Sequence, residues 1–239
     1  MLVSRDLEYL DGTMTCIGHI AYDDEEFNPR PAVLIAPDWG GRGDSACEKA
    51  RQLASMGYVG FAIDMYGKAQ LGHDKTENRA LMTPLMQNRD LLANRINAAF
   101  KALSQLPQVN QEKIAAIGYC FGGLCVLDLA RSGAPVQAVV SFHGLLTAPD
   151  QSLNTPISSK ILILHGYDDP LVKPEQIDEF SLEMTERNAD WQVHLYGLTQ
   201  HSFTNPQAND DEMGLHYNQT ADHRSWLSTT NFLQEAFSQ

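Results

Sequence analysis

Six residues constrain this chain more than any others: Gly118-Tyr-Cys-Phe-Gly-Gly123, entered directly from the apolar run Lys113-Ile-Ala-Ala-Ile117. The pattern Gly-x-Nuc-x-Gly describes a sharp strand-to-helix turn, here with cysteine where serine is usual. A residue held in such a turn takes strained backbone angles. Its neighbours two before and two after must be small, because strand and helix nearly touch there. Gly118 and Gly122 meet that need, and the thiol of Cys120 is left projecting from the turn.

What surrounds this turn is an ordinary globular sequence. The 239 residues suit one α/β domain over 1–239 and are enough to bury a substantial core. Hydrophobic residues make up 43% and charged residues 20%, which excludes a disordered chain. A net charge of −13 argues against a nucleic-acid partner, whose phosphates need a basic surface. Four cysteines, Cys16, Cys47, Cys120 and Cys125, show no zinc-type Cys-x-x-Cys spacing, and a chain this large needs no disulfides. The N-terminus shows no signal peptide, and no apolar segment approaches the roughly 18 residues of a membrane span. The expectation is a cytoplasmic protein with reduced thiols and no membrane partner, either a monomer or a small homo-oligomer.

Strand and helix patterns alternate along the whole length. Short apolar runs at Met14–Tyr22, Ala32–Ala36, Tyr58–Ile63, Ile114–Ile117, Gln137–Phe142, Lys160–Leu164 and Trp191–Tyr196 read as strands. Helical periodicity occupies Asp44–Met56, Asn88–Leu106, Phe121–Arg131, Pro174–Asn188 and Tyr217–Phe237. Residues 67–83 are polar and less regular and read as a long excursion, either a lid or a solvated loop. This alternation predicts the α/β class, with a mainly parallel sheet covered by helices on both faces.

Parallel sheets of this kind carry their sites at the carboxyl ends of the strands. Cys120 follows one predicted strand. His165-Gly-Tyr-Asp-Asp-Pro170 follows another, and Gly197-Leu-Thr-Gln-His-Ser-Phe203 follows the last. Nucleophile, acid, histidine is the chain order of α/β-hydrolases. A thiol with pKa near ~8.5 needs a base, and His201 can take its proton. A carboxylate would hold the imidazole in the useful tautomer. Asp168 and Asp169 both sit in the right loop, and Asp169 is preferred because Pro170 stiffens the backbone beside it. Acyl transfer also needs donors for an oxyanion. The backbone N–H of Phe121 is one candidate, and that of Trp39, in the loop Pro37-Asp-Trp-Gly-Gly41, is the other.

The elbow cysteine, the Asp-Pro loop, His201-Ser-Phe and Asp64-Met-Tyr-Gly67 together resemble the dienelactone hydrolase family of α/β-hydrolases, over nearly the whole chain. The resemblance implies the α/β-hydrolase fold and a Cys120–Asp169–His201 triad cleaving a small ester or lactone, in the manner of a carboxymethylenebutenolidase. It also implies a role for Asp38. Family members carry a glutamate there that hydrogen-bonds the resting thiol and moves away when substrate binds. In dienelactone hydrolases proper, arginines bind the substrate carboxylate, one of them shortly after the histidine. Here the stretch is Thr204-Asn-Pro206, so Asn205 stands where arginine is expected, and Arg79 is the candidate cation.

Tyr66, His143 and Phe203 follow strand ends and are candidate pocket residues. No His-Glu-x-x-His spacing supports a metal among His143, His165 and His201, and no metal or organic cofactor is called for. The alternative is a non-hydrolytic thiol redox sensor, or a ligand-binding protein, on the same fold. It would use Cys120 without turnover.

Overall fold

The computed structural model describes residues 1–149 and 156–238. They form two compact units, residues 1–117 and 118–239. In the first, β1 (Leu2–Asp11) and β2 (Met14–Asp23) make an antiparallel hairpin in the register Asp11↔Met14. Gly12, at φ +57°, turns the chain between them. Next come β3 (Arg30–Ala36), α1 (Asp44–Ser55) and β4 (Val59–Ala62), with β3 and β4 parallel from Ala32↔Val59 to Ile35↔Ala62. Strands β3 and β4 are buried almost throughout, as expected of parallel strands covered on both faces. Two helices follow, α2 (Lys75–Gln87) and α3 (Arg89–Ser104), then β5 (Val109–Tyr119). The strand order of this unit is β1-β2-β4-β3-β5.

In this unit two elements differ from the sequence expectation. Strand β1 lay hidden because Arg5 interrupts the face that carries Val3, Leu7 and Tyr9, Asp6 and Glu8 lie exposed on the other face, and Tyr9 is its one buried side chain. Helix α2 replaces most of the irregular excursion. Its cause is local: Asp74 Oδ1 accepts the N–H groups of Thr76 and Glu77, each at 2.8 Å, and Glu77 Oε2 accepts that of His73 at 2.9 Å. Asp74 is thus the N-cap of α2, and Glu77 reaches back past it to the N–H of the preceding residue.

Before α2, the chain is shaped by one buried carboxylate. Asp64 Oδ1 accepts the N–H groups of Tyr66 and Gly67, and Oδ2 accepts those of Ile17 and Ala69, at 2.7–3.0 Å. Four backbone donors around one carboxylate hold the left-handed turn at Lys68 and Ala69.

The second unit begins with the last residues of β5 and continues into α4 (Phe121–Arg131), a helix whose residues are all buried. Strands β6 (Ala138–Phe142), β7 (Lys160–Gly166) and β8 (Asp190–Tyr196) are parallel neighbours. Helix α5 (Pro174–Glu186) joins β7 to β8. A small hairpin of β9 (Asn209–Asp210) and β10 (Leu215–His216) precedes the closing helix α6 (Gln219–Phe237). Arg131 of α4 donates from Nε and Nη2 to the two carboxylate oxygens of Glu183 of α5, at 2.9 and 2.6 Å, tying two helices together through a part-buried pair. No helix among the described residues is long and apolar enough to cross a membrane.

Candidate active site

Cys120 stands between β5 and α4 with φ 54° and ψ −115°, angles that cost a non-glycine residue about 1–3 kcal/mol. Its N–H donates to Phe142 O at 3.0 Å, and its carbonyl accepts Gly123 N–H at 3.0 Å, which fixes the turn at both sides. A Cβ on Gly118 would overlap the carbonyl of Gly122, so the elbow closes only around glycine. Cys120 is half-buried, whereas Cys16, Cys47 and Cys125 are buried.

His201 and Asp169 come from the loops after β8 and β7. His201 Nδ1 lies 2.7 Å from Asp169 Oδ2, both side chains being buried. The other oxygen of Asp169 accepts Leu171 N–H at 2.8 Å. Asp168 is exposed, and its backbone N–H donates to Thr199 O at 3.0 Å. Of the two candidate acids, Asp169 is thus the one whose carboxylate meets the imidazole.

The backbone of His201 is clamped by the hairpin. Its N–H donates to Gly214 O at 3.1 Å, and its carbonyl accepts His216 N–H at 3.0 Å. Its Nε2 is buried, and the Cys120 sulfur acts on the ring's charge. Burial opposes the imidazolium. The Cys120 sulfur and the Asp169 carboxylate outweigh burial, and His201 is pushed up to about 10.

Two further imidazoles border this pair. His143 is buried after β6, its Nε2 sharing a 2.8 Å hydrogen bond with Thr204 Oγ1, and its ring lies 5.0 Å from that of His201. His165 has Nε2 3.4 Å from Val172 O and 3.9 Å from Asp169 Oδ2. Burial holds both below the ordinary histidine range, so they are neutral. No group of three or more His, Cys, Asp or Glu among the described residues is arranged to hold a metal ion.

The remaining sequence candidates take varied positions. Phe203 has no exposed surface and packs edge-on against His143 and Tyr196, at 5.1 and 5.6 Å. Asn205 is exposed in a turn, its Oδ1 accepting Gln207 N–H at 2.9 Å. In the first unit, Asp38 Oδ1 accepts Gly40 N–H at 2.8 Å. Tyr66 donates its hydroxyl to Trp39 O at 2.8 Å, which pins the Trp39 peptide. Arg79 lies exposed on α2. The Tyr66–Trp39 and His143–Thr204 bonds had no signal in the sequence, because each joins residues of different loops.

A strained residue at a strand–helix turn, with an acid and an imidazole on later strand ends, defines an α/β-hydrolase. Solved structures agree with that class. A dienelactone hydrolase of Klebsiella pneumoniae, described as putative, superposes with TM-score 0.81 over 98% of this chain and 99% of its own at 15% identity, a likeness of fold alone. The family model of the dienelactone hydrolases matches residues 18–237, and the chain belongs to the dienelactone hydrolase family. It is accordingly a hydrolase of the ester-cleaving class.

At 39% identity, it is similar to P91, a dienelactone hydrolase-like promiscuous phosphotriesterase from metagenomic libraries, with TM-score 0.93 over 98% of both chains. An uncharacterized protein of Caenorhabditis elegans is 40% identical over 61% of this chain and 94% of its own. A Bradyrhizobium protein described as a probable 2-oxo-3-(5-oxofuran-2-ylidene)propanoate lactonase is 26% identical over 72% of this chain and 73% of its own.

Proposed function

We propose that the protein hydrolyses small esters or lactones through a Cys120–His201–Asp169 triad and a thioester acyl-enzyme. One observation carries the reading: a buried imidazole hydrogen-bonded to Asp169 at 2.7 Å, whose charged form the Cys120 sulfur favours. His201 takes the thiol proton, and the thiolate attacks the substrate carbonyl. The N–H groups of Phe121 and Trp39 serve the oxyanion. Collapse breaks the C–O bond, and the leaving oxygen takes the proton from His201. Neutral His201 then deprotonates water, which attacks the thioester carbonyl. The carboxylic acid leaves and the thiol is restored. A lactone gives a single hydroxy acid by the same steps.

Asp38 is the candidate switch at the resting thiol, and Arg79 the candidate cation for an acidic substrate. The enzyme works as one domain over 1–239 in the cytoplasm, without metal or organic cofactor. The Bradyrhizobium lactonase description and a 23% identical Yersinia pestis protein described as a putative carboxymethylenebutenolidase support lactones as the substrate class. The name of P91 adds phosphotriesters to the compounds worth assaying.

A panel of aryl acetates, simple lactones, a dienelactone and a phosphotriester tests this, run before and after alkylation by one equivalent of iodoacetamide. Turnover of an ester or lactone that alkylation extinguishes is the expected result. No ester or lactone turnover, or an undiminished rate after alkylation of Cys120, overturns the proposal.

The charge on His201 also sets a pH profile. For esters with an alkoxide leaving group, kcat/KM is expected to fall as pH rises through about 10, because the imidazolium then has no proton to give. Folding stability follows the same sign. A raised pKa contributes fully below the ordinary 6.5, and the contribution is lost as pH climbs through about 10. A kcat/KM profile flat from pH 9 to 11 would contradict this assignment.

A further inference from the structure

We propose that His143 and Thr204 form a strap that sets the aim of the His201 imidazole, both acting as positioning residues. The inference rests on His201 being the base of the reaction proposed above.

The starting point is a second strained residue. His143 follows β6 with φ +38°, one of few non-glycine residues in the left-handed half of backbone space. Strain of this kind persists only where surrounding contacts over-determine it. Those contacts are all present. The His143 N–H donates to Leu164 O at 2.8 Å, its ring packs edge-on against Phe203 at 5.1 Å, and only 2% of its surface is exposed. Its Nε2 reaches Thr204 Oγ1, three residues beyond His201. The end of β6 is thereby tied to the loop that carries the imidazole.

The tie answers a geometric need. The hairpin clamps the backbone of His201, and Asp169 holds Nδ1. Neither stops the ring from rocking about the Nδ1–Oδ2 bond, a motion that swings Nε2. The ring of His143 stands in the path of that motion, 5.0 Å away and inclined at 64°. Displacement of a reacting group by about 1 Å can cost about a hundredfold in rate. A phenylalanine at 143 would supply the wall but not the tie to Thr204. Being neutral, His143 gives this support without repelling the imidazolium beside it.

The test compares Thr204→Val, which keeps shape and loses the hydroxyl, with Thr204→Ser, which keeps the hydroxyl. Thr204→Val is expected to lower kcat about tenfold with KM unchanged, while Thr204→Ser stays within about twofold of the parent. Thr204→Ser should melt at the parental temperature, and Thr204→Val somewhat below it but well above the assay temperature, because His143 Nε2 loses its partner. His143→Phe should show the same loss as Thr204→Val, and the double variant no further loss, because the two residues act as one unit.

A parental kcat in Thr204→Val, equal losses in the Val and Ser variants, or losses that multiply in the double variant overturn the strap. Cys120→Ala runs alongside. If it stays active, the reading of the whole site fails. If it is inactive while Thr204→Val matches the parent, only the strap fails.

Discussion

Cys120→Ala is expected to lower ester turnover at least about a thousandfold and to leave the fold intact, since removing the nucleophile of a triad abolishes the covalent route. The residual rate would come from the oxyanion donors and substrate binding alone. The elbow makes a second, less obvious outcome follow from the same position. Cys120 is held at φ 54°, at a cost of about 1–3 kcal/mol that only a functional side chain justifies. Alanine inherits that cost, because any Cβ does. Glycine does not. Cys120→Gly is therefore expected to be inactive and yet more stable than Cys120→Ala, by about 1 kcal/mol in urea unfolding. The two variants would share one loss of activity and differ in stability. Parental turnover in either variant would defeat the nucleophile assignment. Equal stability of the two would show that the turn is unstrained.

The elbow was legible because its requirement is steric. The strand and helix cannot approach unless Gly118 lacks a Cβ, so the motif announces the geometry. The alternating strands of the second unit were legible for a related reason. Parallel strands buried on both faces leave apolar runs that little else produces. The acid was only half legible. Asp168 and Asp169 are adjacent on one loop, and the choice between them depends on which way a side chain points after a single turn. Strand β1 was lost because polar side chains along it face outward. Helix α2 was lost because its signal is a cap, Asp74 with Glu77, and not an apolar stripe. The strap from His143 to Thr204 had no local signature at all. Its partners lie sixty-one residues apart, and only the parallel arrangement of β6, β7 and β8 leads their loops to one side.

Asp169→Asn is expected to reduce kcat about ten-thousandfold, the scale of the equivalent change in a serine triad. The argument depends on which end of the new amide faces the histidine. Asp169 Oδ1 accepts the N–H of Leu171 at 2.8 Å, and an amide can keep that bond only by leaving its oxygen there. The NH2 group then takes the position of Oδ2, 2.7 Å from His201 Nδ1. Two donors cannot face each other, so the imidazole must present Nδ1 as an acceptor and carry its proton on Nε2. In that tautomer Nε2 cannot take a proton from Cys120.

The pH behaviour of Asp169→Asn should change in step. Burial still opposes the imidazolium, and the carboxylate that helped to outweigh it is gone, so the alkaline limb should move below about 10. Asp168→Asn is the matched control. Asp168 is exposed, and the bond from its backbone to Thr199 O survives the change, so its rate should stay within about threefold of the parent. Measuring kcat and the alkaline limb for both variants separates the two aspartates. A large loss in Asp168→Asn with little loss in Asp169→Asn would reverse the assignment of the acid.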